Sequence, residues 1–410
     1  MKFTSLNTTL RRPIIQSLLD NDQYCFSMSN AIYDLFKEVN VAYRLIVRTP
    51  PVNRSFSVSD ATDLGEQIQS MGELSFSKDD IDFIEYSSPW IGKWYLEYLK
   101  TLKLNPKNVK ISYTEWDKQK LYVDIEGKWS DVIFFETPLM ATISEIFFSN
   151  VVTVDRFDQA SKASKKGTLL YENKCKTSEF GTRRRFSFDV QDIVVSTLKE
   201  KMKEYLAGTS NVFFARKYGL KPMGTQAHQW IMAMSALYGY GNANYKALQL
   251  WRNVFGDRLG IALSDTYGVS NFLKAFENYR FAYMFDGTRH DSGDPFKYAD
   301  RMIEFYKRLG IDPLAKSVIF SNSLTDKNAV EIKTYCEGKI GCSFGIGTFL
   351  TNDIDPNVIP LNMVVKMWAL KHPFNNRWIH TVKLSDDISK ATGDENEIQR
   401  CKKEILGEQS

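Results

Sequence analysis

The sequence predicts an α/β protein, with a parallel-stranded core wound by helices behind an N-terminal region of mixed helix and antiparallel strand. Three observations carry that expectation. From about Val132, short apolar runs give way to small polar clusters and then to helical stretches, six times in succession. That rhythm marks parallel strands joined by crossover helices. Before Val132 the patterns are different, alternating or hairpin-like, and contain neither a repeat nor a linker. The 410 residues, 43% apolar and 13% aromatic, suffice for a large core and exclude a disordered chain. At about 150 residues per domain the length suggests two or three domains.

The first 130 or so residues can be read element by element. Leu18 to Phe36 reads as a helix, because Tyr24, Met28, Ile32, Leu35 and Phe36 recur near helical spacing. Val39, Val41, Tyr43, Leu45 and Val47 alternate with mostly polar neighbours, as in a half-buried strand that stops at Thr49-Pro50-Pro51. Leu64, Ile68 and Met71 suggest a second helix. Lys110 to Trp116, Asp117-Lys118-Gln119 and Lys120 to Ile125 resemble a hairpin closing at Gly127.

The polar clusters are Gly208-Thr209-Ser210-Asn211, Gly224-Thr225-Gln226-Ala227-His228, Ser264-Asp265-Thr266-Tyr267-Gly268, Arg289-His290-Asp291-Ser292-Gly293-Asp294, Ser321-Asn322-Ser323 and Gly345-Ile346-Gly347-Thr348. In barrels and open α/β sheets alike, ligands sit at the carboxyl ends of strands, so the clusters should converge on one mouth. Gly, Ser, Thr and Asp also simply make turns, and each cluster taken alone reads that way too. Gly345, Gly347 and Thr348 would let backbone N–H groups approach an anion. Ser321 and Asn322 precede a helix starting near Asp326, which fits either a phosphate at a helix N-terminus or an ordinary N-cap. Arg289 and Asp291 form either an anion- and magnesium-binding corner or a self-neutralising salt-bridged turn. His228 opens a helix and is either a nucleophile or base, or a structural imidazole. Phe180-Gly181-Thr182-Arg183-Arg184-Arg185, read as a strand, would send Arg183 and Arg185 to one face and Arg184 to the other.

Several classes are excluded. The net charge of +4 and pI near 8.5 fall short of a nucleic-acid binder's basic footprint. No apolar run approaches the roughly 18 residues of a membrane span, so no membrane partner is expected. The first 13 residues lack a signal peptide's apolar stretch, which points to the cytoplasm. Five cysteines, an odd number without a CxxC pair, form neither a disulfide framework nor a zinc site.

Together with Leu18 to Met28, Glu179 to Arg185, Phe344 to Asp353 and Val382-Lys383-Leu384-Ser385-Asp386, these clusters resemble the nicotinate phosphoribosyltransferase family, of the type II phosphoribosyltransferase fold. The resemblance covers nearly the whole chain and implies an irregular α/β barrel at 132–365. It also implies an α+β N-terminal domain at 1–131, completed by the C-terminal tail, 366–410. The implied reaction joins nicotinate to phosphoribosyl pyrophosphate, giving nicotinate mononucleotide and pyrophosphate at the start of NAD salvage. ATP hydrolysis through a phosphohistidine at His228 would be coupled to it, with Mg2+ near Asp291 and no tightly bound organic cofactor. The implied partners are nicotinate, phosphoribosyl pyrophosphate, ATP and a second copy of the chain, with active sites shared in a homodimer.

By the same resemblance, Phe180 and a partner subunit's Tyr24 sandwich the pyridine. Asp265 and Asp291 contact ribose or magnesium, while Arg183 and Arg289 stabilise the leaving group. Thr209 and Ser210 lie at the pyridine, and Ser321, Asn322, Gly345, Gly347 and Thr348 hold phosphate. Ser210 stands where nicotinamide-using relatives have aspartate. Cys25 replaces the family's usual lysine, which either removes a phosphate-binding cation or merely fills space. A nicotinamide- or quinolinate-using enzyme of the same fold is the first alternative. A non-catalytic phosphate- or RNA-binding protein built on Phe180 to Arg185 is the second.

Overall fold

A computed structural model of the chain describes residues 12–48, 54–117, 120–149, 152–386 and 391–407. The signal-peptide reading of the first residues, the strand stop at Thr49-Pro50-Pro51 and the Lys118-Gln119 turn lie mostly or wholly outside them.

Two sheets organise the molecule. The first is antiparallel, built from β1 (Asn40–Val47), β2 (Val109–Tyr113), β3 (Leu121–Lys128), β10 (Met363–Lys371) and β11 (Trp378–His380) in the order β11-β10-β1-β3-β2. Val41, Tyr43 and Leu45 of β1 are buried while Arg44 is exposed, so the alternation legible in sequence is the core face of this strand. β1 pairs along its whole length with β10, so the sheet joins segments from both ends of the chain. The β2–β3 hairpin turns between Tyr113 and Leu121, and β3 continues through Gly127 instead of closing there.

The second sheet is parallel: β4 (Thr177–Glu179), β5 (Leu206–Thr209), β6 (Ile261–Leu263), β7 (Gly287–His290), β8 (Ser317–Phe320) and β9 (Gly341–Ile346), in the order β5-β4-β9-β8-β7-β6. It curls into an irregular α/β barrel that stays unpaired between β5 and β6. An extended segment at Lys221–Thr225 fills the gap. Met223 N donates to Thr209 O (2.8 Å), and Thr225 Oγ1 reaches Ile261 O (3.4 Å). Pro222, which has no N–H to give a ladder, suits this position. Among the described residues no helix is long and apolar enough to cross a membrane.

Three local expectations are corrected. The first helix spans Gln23–Leu35, not Leu18 to Phe36, because Asp22 is held extended against Asn211 of the barrel. Gln23 N donates to Ser210 O (2.7 Å) and Val212 N to Asn21 O (3.0 Å), so tertiary pairing overrides the helical period. The Gly224–His228 cluster follows the gap-filling segment instead of a strand; the sixth strand end belongs to β4 and Phe180. Thr182–Arg184 is a 3₁₀ turn, not a strand. Arg185 turns into the core onto Asp20, while Arg184 donates to Met363 O (3.1 Å).

Candidate active site

The carboxyl ends of the parallel strands open onto one cavity of about 1170 Å³. β4 delivers Phe180 and Arg183, β5 Ser210, β7 Arg289 and Asp291, β8 Ser321 and Asn322, and β9 Gly345, Gly347 and Thr348; all of them line it, together with Tyr24 and His228. Asp265, after β6, stands 1% exposed just behind the His228 side of the wall. Thr209 is not at the surface of the cavity. It is fully buried and donates to Glu179 Oε2 (2.6 Å), bracing a carboxyl that burial pushes up to about 7.

His228 begins the His228–Tyr238 helix, where the helix dipole favours a neutral imidazole and a nearby anion. Its Nδ1 lies 2.9 Å from Thr266 Oγ1, and its Nε2 lies 3.0 Å from Asp291 Oδ2 and 2.8 Å from Lys383 Nζ. Burial first, and then the Lys383 ammonium, hold its pKa down to about 4, so the ring is neutral near pH 7. Arg289 Nη2 donates to Asp291 Oδ1 (2.7 Å), and Ser321 Oγ donates to the same oxygen (2.9 Å). Against the burial that would raise it, Arg289 and His228 keep Asp291 well below the usual carboxylate range. The salt-bridged turn and the cavity wall are therefore one and the same corner. His228, Asp265 and Asp291 present ligand atoms within 4.8 Å of one another, and Asp265 Oδ1 has no hydrogen-bond partner among the described residues. Two carboxylates with a spare oxygen suit Mg2+, which takes oxygen ligands.

At the other end, Ser210 Oγ donates to Asp22 Oδ1 (2.7 Å), and Arg183 Nε stands 3.8 Å from Asp22 Oδ2. Burial raises the Asp22 pKa and Arg183 opposes that. Tyr24 of this chain is also among the cavity's lining residues, because the backbone pairing of residues 21–23 with 210–212 docks its helix there. Cys25 is fully buried, 3.8 Å from Thr137 Oγ1 and away from the cavity, so it fills space.

A model of the nicotinate phosphoribosyltransferase (NAPRTase) family matches residues 175–407, and a model of that family's N-terminal domain matches 19–144. The chain belongs to this family. A curated relative from Methanococcoides burtonii, named nicotinate phosphoribosyltransferase, is 42% identical over 406 residues, covering 94% of this chain and 96% of that protein. The solved nicotinate phosphoribosyltransferase of Porphyromonas gingivalis superposes with a TM-score of 0.92 at 37% identity, over 96% of this chain and 100% of that one. A putative nicotinate phosphoribosyltransferase from Saccharomyces cerevisiae gives 0.88 at 33% identity, over 97% and 99% of the two chains.

Sequence reasoning missed Asp22, Glu136, Lys366 and Lys383 as cavity residues of this family member. Glu136 had a signal: it and Glu145 are the charged residues in the otherwise uncharged run from Val132 to Phe148, and an acid set in such a run is buried for a reason. Gln229, beside His228, donates to Glu136 and accepts from Trp129 Nε1 (3.1 Å).

Gly345 packs against Cδ2 and Cε2 of Phe180 so closely that a methyl group there would overlap the ring. Gly345→Ala should displace Phe180 and raise the KM for the pyridine about 10-fold, the scale of one overpacked contact, with a smaller effect on phosphoribosyl pyrophosphate. Initial-rate kinetics in each substrate measure this; an unchanged pyridine KM would remove Phe180 from the ring site.

Proposed function

We propose that the cavity joins nicotinate to phosphoribosyl pyrophosphate, releasing pyrophosphate, with ATP hydrolysed through a phosphohistidine at His228. The carrying observation is that two aromatic side chains, Phe180 and Tyr24, the Arg289–Ser321 corner and a neutral buried imidazole share one cavity. The family's activity gives the reaction; the residues give the chemistry.

Nicotinate stacked on Phe180 presents its ring nitrogen to the anomeric carbon. The new C–N bond forms as the C–O bond to pyrophosphate breaks, leaving positive charge on ribose and negative charge on the leaving group. Arg183 and Arg289 stabilise the latter. Aromatic stacking orients the ring with little rotamer entropy to lose. Ser321, Asn322 and the Gly345–Thr348 loop hold the ribose phosphate through hydroxyl, amide and backbone donors. Asp265 and Asp291 would hold Mg2+, which when bound neutralises phosphate charge.

The test is incubation with γ-labelled ATP, nicotinate and phosphoribosyl pyrophosphate, following nucleotide and labelled protein together. Nicotinate mononucleotide with a labelled enzyme is expected; product from nicotinamide or quinolinate in preference to nicotinate overturns the substrate reading.

Ser210 tests the choice of acid over amide. Ser210→Asp would place a second carboxylate next to Asp22, facing the nicotinate carboxylate. Like charges so close cost several kcal/mol, so the KM for nicotinate should rise at least about 10-fold, and nicotinamide, which has no such charge, should gain as substrate. Unchanged kinetics with both pyridines would contradict this.

A further inference from the structure

We propose that Lys383 is a catalytic residue of the phosphoryl transfer, its ammonium pairing with the γ-phosphoryl group as that group passes from ATP to His228. The proposal rests on the reading of His228 as the acceptor.

Lys383 is an unusual lysine in its placement. Its side chain is only 5% exposed, yet it lines the cavity, with Nζ 2.8 Å from His228 Nε2 and 3.3 Å from Asp265 Oδ2. A buried ammonium is costly unless it is paired, and a structural partner for Asp265 has no need to touch an imidazole as well. The backbone is fastened on both sides to deliver it. Lys383 exchanges N–H···O bonds in both directions with Thr392 (2.9 Å each), and Leu384 N donates to Thr266 O (2.9 Å). Two residues on, the Asp386 carboxylate accepts from Val269 N (3.0 Å) at the start of the Val269–Asn278 helix. Thr266 therefore serves both partners. Its hydroxyl meets His228 Nδ1, and its carbonyl anchors the segment that carries Lys383.

This arrangement determines which nitrogen reacts. With Nδ1 bonded to Thr266 (2.9 Å), Nε2 is the nitrogen that meets Asp291 (3.0 Å) and Lys383 (2.8 Å) at the cavity wall. The ammonium thus occupies the side from which phosphorus must approach. In the transfer, the Nε2 lone pair forms the N–P bond. The P–O bond to the β-phosphate breaks and its electron pair leaves on ADP, while the single ring proton either stays on Nδ1 or passes from Nε2 to Asp291 Oδ2. The ammonium moves from Nε2 to the phosphoryl oxygens and remains paired with Asp265. A cation tethered beside the transferring group, with Asp265 holding it, stabilises the charge carried by the phosphoryl oxygens.

The experiment measures the rate of protein labelling by γ-labelled ATP in the full chain. The unsubstituted enzyme is compared with Lys383→Ala, Lys383→Met and Lys383→Arg, each first checked by its denaturant midpoint. Removing a preorganised cation should slow labelling of the alanine and methionine variants about 100-fold, with arginine losing less. Ethylammonium should restore at least part of the alanine variant's rate and leave the methionine variant, whose space is filled, unchanged. A folded alanine or methionine variant labelling at the unsubstituted rate overturns the proposal. So does a fall of the same size in the arginine variant that ethylammonium does not relieve in the alanine variant. Absence of label from the unsubstituted enzyme is a different failure, rejecting the phosphohistidine reading and this proposal with it.

Discussion

His228→Ala is expected to abolish both the labelled phosphoenzyme and the stimulation of turnover by ATP, while some ATP-independent synthesis of nicotinate mononucleotide persists. The asymmetry follows from what the imidazole touches. Its two nitrogens meet Thr266, Asp291 and Lys383, so its loss removes the proposed nucleophile without removing the Phe180 ring, Arg183 or the Arg289–Ser321 corner. Covalent catalysis has no substitute when the nucleophilic atom is deleted, so labelling should fall to background. The uncoupled glycosyl transfer keeps its anion-binding groups and should fall far less. Measuring both rates in the same preparation separates the roles. Retention of labelled protein in the variant would reject His228 as the acceptor, and equal loss of both rates would place the imidazole in the glycosyl step as well.

How much of this was legible in the sequence depended on the range of the interaction. Five of the six polar clusters do sit at parallel strand ends, because an apolar run of strand length followed by Gly, Ser or Asp and then a helix is a local pattern. The Gly224–His228 cluster resembled the others locally, yet it follows a segment that no ladder completes. The reason lies in Pro222 and in Gly224, which packs against the backbone of Tyr24 too tightly for a side chain. Arg183–Arg185 misled for a similar reason. Strand alternation is the default for such a run, but a buried carboxylate at Asp20 draws Arg185 inward and the chain turns to allow it. The contacts that define the site's chemistry were the least visible. Ser210 and Asp22 are 188 positions apart, and His228 and Lys383 are 155 apart. No periodicity joins residues at such separations; Lys383 and Asp22 were flagged only as parts of longer resembling stretches.

The largest stability effect is expected at Asp20. Its carboxylate receives Arg185 Nη1 and Nη2, both at 2.7 Å, in a bidentate pair whose side chains are 1% and 0% exposed. Asn211 Nδ2 donates to the same carboxylate (2.7 Å), and Arg185 also reaches Gln191 Oε1 (3.2 Å). Asp20→Ala leaves a guanidinium buried without its counter-charge, a change that costs roughly 3–5 kcal/mol. Asp20→Ala combined with Arg185→Leu should cost less than Asp20→Ala alone, because the stranded charge is gone and a side chain of useful volume remains. The pair also ties the segment before the first helix to the turn carrying Arg183 and to Asn211, which caps the helix beyond Ser210. Partial loss of this tie should therefore raise the pyridine KM before the molecule unfolds. Denaturant midpoints of the single and double variants, with nicotinate kinetics on each, measure both consequences. A single variant as stable as the unsubstituted chain would mean that Arg185 finds water or another acceptor, and that the N-terminal segment docks on the barrel without this pair.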